Sequence, residues 1–203
     1  MVAETTLKQH GAREDTMPRA TPVRPLGINH LVLNVRNMDE SHHFWCDLLG
    51  FEHVGTLDSE HRMQFYGTVH EGGLHHHDFA LAEVPTLPEP TQKWSMFGGT
   101  SAIGHIAITY PDRESWLEQV EFLKENGVPM NLRLDHGMTH SMYTNDPNGY
   151  GVEVLYELPR EVWEHDINGA LNHAVPYPED QILEDNTDYT TDFQPRDRAR
   201  DRA

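Results

Sequence analysis

The sequence predicts an α+β fold made of two β-α-β-β-β modules that follow one another along the chain. Each half of the central sequence begins with a strand-like segment that carries one histidine, His30 in the first half and His105 in the second. A segment with helical spacing of apolar residues comes next, and three strand-like segments follow it. The halves also end alike, with Ala-Glu-Val-Pro at 82–85 and Tyr-Glu-Leu-Pro at 156–159. This internal repeat indicates two equivalent modules that share a core.

The first module opens with the strand that contains His30, which lies among apolar β-forming residues. Phe44, Leu48 and Phe51 then recur at helical spacing and predict a helix over about 39–49. This helix would end at Gly50, where a left-handed C-cap is expected. Three strands are predicted after it, at about 51–57, 62–69 and 76–84.

The second module repeats this order from the strand that contains His105. Trp116, Val120 and Leu123 predict a helix over about 113–126 that ends at Gly127. The strands that follow are predicted at about 129–135, 140–145 and 150–157, with the Asp-Pro-Asn-Gly turn at 146–149 between the last two.

Polar segments flank the repeat on both sides. Residues 1–24 contain Pro18 and Pro22 and have no periodicity, so we expect a mobile N-terminal arm. Residues 25–175 would form the domain, with modules at about 26–88 and 100–160. Residues 176–203 are acidic and too poor in apolar side chains to offset the entropy cost of ordering, so we expect a solvated or surface-bound C-terminal tail.

The charge and the cysteine content exclude several classes of protein. A formal net charge of −18 argues against nucleic acid and against anionic membrane surfaces as partners. No stretch approaches the roughly 18 apolar residues of a membrane span, and the N-terminus has no signal-type apolar segment, so we expect a cytoplasmic protein. Cys46 is the one cysteine, which excludes an intrachain disulfide, and its helical context predicts a buried structural thiol.

Three residues at matching places in the two modules predict a metal site. His30 and His105 open equivalent strands, and Glu153 lies in an apolar strand near the end of the second module. Matching the module ends places Phe79 opposite Glu153, so four strand positions would meet at one centre. Each polar side chain could be a hydrogen-bonded core residue, but three together would be costly to bury without a cation. Two imidazoles and a carboxylate bind non-haem Fe(II) and leave coordination positions open, and they also tolerate Mn(II).

A second motif lies between the last two predicted strands. It contains His-Gly at 136–137, Tyr143, Asp-Pro-Asn-Gly at 146–149, and Glu153 ten residues after the tyrosine. With these residues, the stretch from about 26 to 178 resembles the vicinal oxygen chelate superfamily, and within it the single-domain type I extradiol catechol dioxygenases. The Leu-Pro-Arg-Glu-x-Trp run at 158–163 is similar to the sequence that follows the ligand glutamate in many of these proteins.

The resemblance implies a role for each matching residue. His30, His105 and Glu153 would hold Fe(II), with Mn(II) as the other candidate metal. His77 resembles the second-sphere acid–base histidine of the family. Because it lies two residues before Phe79, it would share that residue's face of the strand. Tyr143 resembles the tyrosine that hydrogen-bonds an oxygen of the catechol.

Three further residues belong to the substrate side of the implied site. His136 resembles the third active-site histidine of the family, although it lies two residues closer to Tyr143 than in the longer members. His140 is the alternative for that position. Ser141 would share a strand face with Tyr143 and could contact the substrate.

The resemblance further implies ring cleavage of a small aromatic diol by O₂, next to the two hydroxyls, to a muconic semialdehyde-type product. Such a domain leaves sheet edges to cover, so we expect a homo-oligomer. Glyoxalase-type isomerases and fosfomycin thiol transferases share the modules, but the former need a ligand where Phe79 would lie and the latter need a cation-lined anion pocket. Drug-binding resistance proteins of the fold lack the metal, and a non-catalytic binding module with a vestigial site remains the alternative outside enzymes.

Overall fold

The computed structural model describes residues 28–58, 62–70, 73–90, 103–177 and 193. The predicted arm at 1–24 lies outside the described residues, as does almost all of the predicted tail at 176–203. Within the described part, the α+β fold with two modules is confirmed. No helix in this part of the chain combines the length and apolar character that a membrane crossing requires.

The first module forms a four-stranded sheet with a small hairpin inserted before its last strand. Its strands are β1 (Leu31–Val35), β2 (Glu52–Asp58), β3 (Arg62–Gly67), β4 (Val69–His70), β5 (Gly73–Leu74) and β6 (Phe79–Glu83). The order across the sheet is β1-β6-β3-β2, and β4 and β5 pair separately. β1 and β6 run parallel, whereas β6, β3 and β2 are antiparallel neighbours.

The second module repeats this topology. Its strands are β7 (Ile106–Thr109), β8 (Leu132–Asp135), β9 (Thr139–Asn145), β10 (Gly151–Glu157) and β11 (Val175–Pro176). The order is β11-β8-β9-β10-β7, and β7 runs parallel to β10. Each sheet therefore places the first strand of its module beside the last of the three strands that follow the helical segment, β6 in the first module and β10 in the second. β11 adds a strand that the sequence analysis did not predict.

The helices lie where the periodicity predicts them, but the first is not regular. α1 (Met38–His42) is capped by the Asn37 side chain and continues as a π-helical segment (His43–Leu48), so the predicted helix at 39–49 has two geometries. α2 (Arg113–Glu125) begins at Asp112, whose carboxylate accepts the Ser115 N–H at 2.8 Å. Two short helices, α3 (Arg160–Trp163) and α4 (Ile167–Asn172), were not predicted because they are too short to show a period.

A tryptophan from each helical segment forms the centre of the core in each module. Trp45, in the π-helical segment, packs on Phe79 with ring centroids 4.7 Å apart. Trp116, in α2, is fully buried and donates its indole N–H to the Val154 carbonyl at 2.9 Å. Each helical segment thus covers one face of its sheet, and the other face is left for the candidate ligands.

This arrangement corrects the predicted position of Phe79. Its ring faces the helical side, because it packs on Trp45 of the π-helical segment. It also stacks on Tyr66, with ring centroids 5.1 Å apart. In the parallel pair of β7 and β10, Ala107 lies beside Glu153. In the equivalent pair of β1 and β6, Val32 lies beside Ala80. Because side chains alternate along a strand, Ala80 and not Phe79 occupies the counterpart of Glu153. Counting from the module ends was wrong by one residue, although the fourth position still has no ligand atom.

We expect Gly137→Ala to destabilise the protein more than Gly127→Ala. Both glycines have a left-handed backbone, with φ of +72° and +74°, so both substitutions cost about 1 kcal/mol of backbone strain. A Cβ at position 137 would also lie 2.5 Å from Cε1 of Phe193, whereas nothing lies within 4 Å at position 127. The midpoints of urea unfolding should separate the variants, and equal midpoints would contradict the contact with Phe193.

Candidate metal centre

Glu153 is the buried acid of the candidate centre. It lies in the middle of β10, and its side chain is 7% exposed. One carboxylate oxygen accepts the Tyr143 hydroxyl at 2.7 Å, and the other lies 3.1 Å from His105 Nε2. β9 and β10 are antiparallel with Tyr143 directly opposite Glu153, so the sheet register itself creates the first of these contacts.

His136 extends this cluster on the far side of Tyr143. Its Nε2 lies 2.8 Å from the phenolic oxygen. Burial lowers the pKa of His136 in spite of the opposing charge of Glu153, which favours a neutral imidazole. Burial and the Glu153 charge both raise the pKa of Tyr143, so the phenol keeps its proton. The phenol donates its one proton to Glu153, so its oxygen can only accept a hydrogen bond from His136 Nε2.

The two remaining residues of the predicted substrate side lie on opposite faces of β9. Ser141 is fully buried and shares the face of Tyr143, whose pKa its hydroxyl lowers through a hydrogen bond. His140 points to the other face, where its Nδ1 lies 2.9 Å from the Tyr156 hydroxyl in the core. The structure therefore brings His136, and not His140, to Tyr143, because neighbouring side chains of a strand alternate.

His30 and His77 form a second group in the first module. Their ring centroids are 4.4 Å apart, and the His77 ring also contacts Phe65 edge-on at 5.2 Å. Phe65 pairs with Ala80, so His77 lies on the face opposite to Phe79, contrary to the predicted shared face. The reason is that residues 75–78 precede β6 and do not follow strand alternation. Desolvation, followed by the charges of His30 and His76, lowers the pKa of His77.

The structure joins two of the three predicted ligands directly. His105 and Glu153 are in contact, whereas the ligand atoms of His30, His105 and Glu153 do not all lie within 4.8 Å of one another. His30 and His105 each lie immediately before the first strand of their module, as the repeat predicts. Both histidines are exposed enough to change rotamer, since the His105 side chain is 35% exposed.

The donor set fits a divalent cation. Glu153 is a buried carboxylate whose oxygens, within the described residues, contact a phenol and an imidazole but no Lys or Arg side chain. Two imidazoles and a carboxylate offer nitrogen and oxygen ligands that suit Fe(II) and Mn(II), with positions left for substrate. His30, His105 and Glu153 are therefore the residues that would hold such an ion.

The structure also groups ligand-type side chains that the sequence analysis did not single out. Within the described residues, two groups of three have ligand atoms within 4.8 Å of one another: His42, Cys46 and Asp47, and His70, His75 and Asp78. The spacing of four residues between His42 and Cys46 was the available signal for the first group.

Cys46 differs from the predicted buried thiol. Its side chain is half-buried rather than buried, and it packs against the core. Desolvation and the nearby carboxylates of Asp47 and Glu52 raise its thiol pKa, which argues against a reactive nucleophile.

Comparison with known proteins gives a consistent family and two kinds of enzyme. A family model described as "Glyoxalase/Bleomycin resistance protein/Dioxygenase superfamily" matches residues 27–154. The chain is 26% identical over 142 residues to a catechol-2,3-dioxygenase of Bacillus subtilis, covering 70% of this chain and 45% of that protein. It is 29% identical over 151 residues to a lactoylglutathione lyase of Pseudomonas putida, covering 65% of this chain and 86% of that protein.

Among solved structures, the chain is similar to a glyoxylase/bleomycin resistance protein/dioxygenase domain from Frankia sp. EAN1pec. The TM-score is 0.53 at 15% sequence identity, and the match covers 70% of this chain and 99% of that domain. This similarity concerns the fold alone. The chain thus spans a full domain of this kind but less than half of the catechol-2,3-dioxygenase.

Proposed function

Because the chain belongs to the Glyoxalase/Bleomycin resistance protein/Dioxygenase superfamily, we propose that it is a non-haem Fe(II) extradiol dioxygenase. Its substrate would be a small catechol-type diol, which it would cleave with O₂ to a muconic semialdehyde-type product. The sequence similarity to a catechol-2,3-dioxygenase supports this choice within the superfamily. Fe(II) is the proposed metal, with Mn(II) as the other ion that the donor set suits.

The observation that carries the proposal is the line of contacts from Glu153 through Tyr143 to His136. A ligand carboxylate, a phenol and a neutral imidazole in sequence provide hydrogen-bonding groups for the two adjacent oxygens of a diol. Ala80, at the counterpart of Glu153, offers no fourth ligand. Three protein ligands would leave coordination positions for both diol oxygens and for O₂.

Each group has a distinct task in the proposed reaction. Bound Fe(II) would supply a Lewis acid for the diol oxygens and a redox centre for O₂. His136, held neutral by burial, would accept a proton from the diol. Tyr143 would hydrogen-bond a diol oxygen and fix its orientation, and Ser141 would support the phenol. His77, whose lowered pKa also favours the neutral form, would move a proton on the side of His30.

The proposal is tested by loading the protein with Fe(II) under anaerobic conditions, adding catechol or 2,3-dihydroxybiphenyl, and admitting air. A yellow ring-fission product that requires both iron and O₂ is the expected result. Bound iron without product from either diol, and without O₂ uptake, would overturn extradiol cleavage of these substrates. Replacing Fe(II) by Mn(II) in the same assay would identify the metal that the site uses.

A glyoxalase-type isomerase is the second candidate, because the match to the lactoylglutathione lyase covers 86% of that protein. The two activities differ in their need for O₂. An isomerase would convert the adduct of methylglyoxal and glutathione under nitrogen, whereas the proposed dioxygenase would not. Turnover of this adduct without O₂, with no cleavage of diols, would favour the second candidate over the first.

We expect His77→Ala to lower turnover about a hundredfold, the lower end of the range for loss of a general acid or base, because water can reach this site. Metal binding should not change, since His77 is not one of the three ligands. The measurement is kcat with saturating diol, beside the iron content of the same sample. His165→Ala, which removes an exposed histidine, serves as the control. Unchanged turnover in His77→Ala would exclude the acid–base role.

A further inference from the structure

The junction of α1 and the π-helical segment carries a group of ligand-type side chains that the proposed reaction does not use. A ring nitrogen of His42, the sulfur of Cys46 and a carboxylate oxygen of Asp47 lie within 4.8 Å of one another. We propose that these three residues form a second metal site, separate from the candidate centre, that binds Zn²⁺ or a similar thiophilic divalent cation. His42 and Cys46 are half-buried and Asp47 is exposed, so an ion can reach the group from solvent.

A hydrogen-bond relay prepares His42 as a ligand. The Tyr66 hydroxyl donates its one proton to the Gln64 side-chain carbonyl at 2.5 Å, and His42 Nδ1 lies 3.0 Å from the same hydroxyl oxygen. Because that proton is already used, Nδ1 must carry a hydrogen and donate it to Tyr66. A neutral His42 then has its lone pair on Nε2, which is the ring nitrogen that the proposed site would use. Metal-bound histidines are typically oriented in this way, by a hydrogen bond from the other ring nitrogen.

Asp47 is held in a comparable way from outside the group. Its Oδ2 lies 2.9 Å from Nδ1 of His43, one turn earlier in the chain. The segment is π-helical, a rare geometry that is frequent at functional sites. Cys46 and Asp47 lie in this segment, and their ligand atoms lie close to that of His42, the last residue of α1.

The ligand types indicate the class of ion. A thiolate with an imidazole suits Zn²⁺, which commonly takes four ligands and would here keep one position for water. The site is distinguishable from the candidate centre, whose predicted ligands are two histidines and a glutamate and include no sulfur. The second group, His70, His75 and Asp78, is accounted for by hydrogen bonds, because both histidines share one Asp78 oxygen at 2.9 and 2.8 Å.

Cobalt(II) is the probe that tests this site, since it replaces Zn²⁺ and gives a thiolate-to-metal charge-transfer band when sulfur is a ligand. Cys46 is the one cysteine of the chain, so such a band can arise from no other protein residue. We expect the band to appear on titration of the metal-free, reduced protein with Co²⁺. Added Zn²⁺ should remove it and should slow alkylation of Cys46 at least about tenfold, because a metal-bound thiolate is a poorer nucleophile.

Matched variants separate this site from its surroundings. Cys46→Ser should abolish the band, and His42→Gln and Asp47→Asn should each weaken Co²⁺ binding at least about tenfold. Glu153→Gln should leave the band unchanged, and Cys46→Ser should leave diol cleavage unchanged. Co²⁺ binding without a thiolate band would overturn the proposal. It would also be overturned if His42→Gln and Asp47→Asn both gave the band with the Co²⁺ affinity of the unmodified protein. Alkylation of the unmodified protein with and without Zn²⁺ gives the same answer if a variant does not fold.

Discussion

Glu153→Gln is expected to abolish diol cleavage and to weaken Fe(II) binding by at least about a hundredfold. The amide keeps the size of the side chain and can still accept the Tyr143 hydroxyl, now at 2.7 Å from the carboxylate. What it removes is the negative charge, which supplies the one anionic ligand of the proposed set. The expected loss therefore reports coordination rather than a change in packing.

The same substitution should have the opposite effect on the metal-free protein. In that state Glu153 is a buried carboxylate whose neighbours are a phenol and a partly exposed imidazole. Removing such a charge relieves its desolvation cost, so the free energy of unfolding should stay the same or rise by up to about 2 kcal/mol. With metal present, the unmodified protein should be the more stable of the two, because only it gains stability from the bound ion.

The test is a pair of thermal unfolding curves, with and without Fe(II) or Mn(II), for each protein. Metal should raise the melting temperature of the unmodified protein and of Glu157→Gln, an exposed glutamate at the end of the same strand. Metal should leave Glu153→Gln nearly unchanged. If metal raised the melting temperature of Glu153→Gln as much as that of the unmodified protein, Glu153 would not be a metal ligand. The cleavage activity would then be judged separately from metal binding.

The repeat in the sequence was sufficient to predict the β-α-β-β-β order of elements in both modules. Histidines at the start of β1 and β7, and helical periods around Trp116, are local features that depend on the order of residues along the chain. The position opposite Glu153 was not predictable in this way. It depends on the register between β1 and β6, and an error of one residue exchanges the two faces of a strand. For this reason the prediction places Phe79, and the structure places Ala80, at the counterpart of Glu153.

The candidate site was also predictable in part, with the contact between Tyr143 and Glu153 on one side and the strand face of His77 on the other. Tyr143 lies opposite Glu153 in an antiparallel pair joined by a short turn, so their contact follows from local sequence. The face of His77 did not follow, because the preceding residues leave the strand to form the contacts of Asp78. The group at Cys46 was missed for a related reason, since Asp47 joins the spacing of four between His42 and Cys46 at a π-helical turn, which the apolar period does not reveal.

The second large effect concerns the packing that supports β10 from behind. Trp116→Ala is expected to lower the free energy of unfolding by about 3–5 kcal/mol, the usual cost of removing a fully buried indole. The ring fills the space between α2 and β10, and its N–H satisfies the Val154 carbonyl. The Arg133 guanidinium also lies 4.7 Å from its ring centre, so the substitution leaves a buried cation without one of its aromatic partners.

Two further variants divide this effect into its parts. Trp116→Phe keeps a buried ring but loses the hydrogen bond to Val154, and should cost about 1–3 kcal/mol. Phe122→Ala changes a residue of the same helix that is 41% exposed, and should cost no more than about 1 kcal/mol. Urea unfolding followed by circular dichroism measures all three. Trp116 affects Glu153 through the neighbouring residue Val154. Diol cleavage by Trp116→Ala should therefore fall only a few-fold while the protein remains folded. A loss of stability below that of Phe122→Ala would show that α2 does not support the strand that carries the acid.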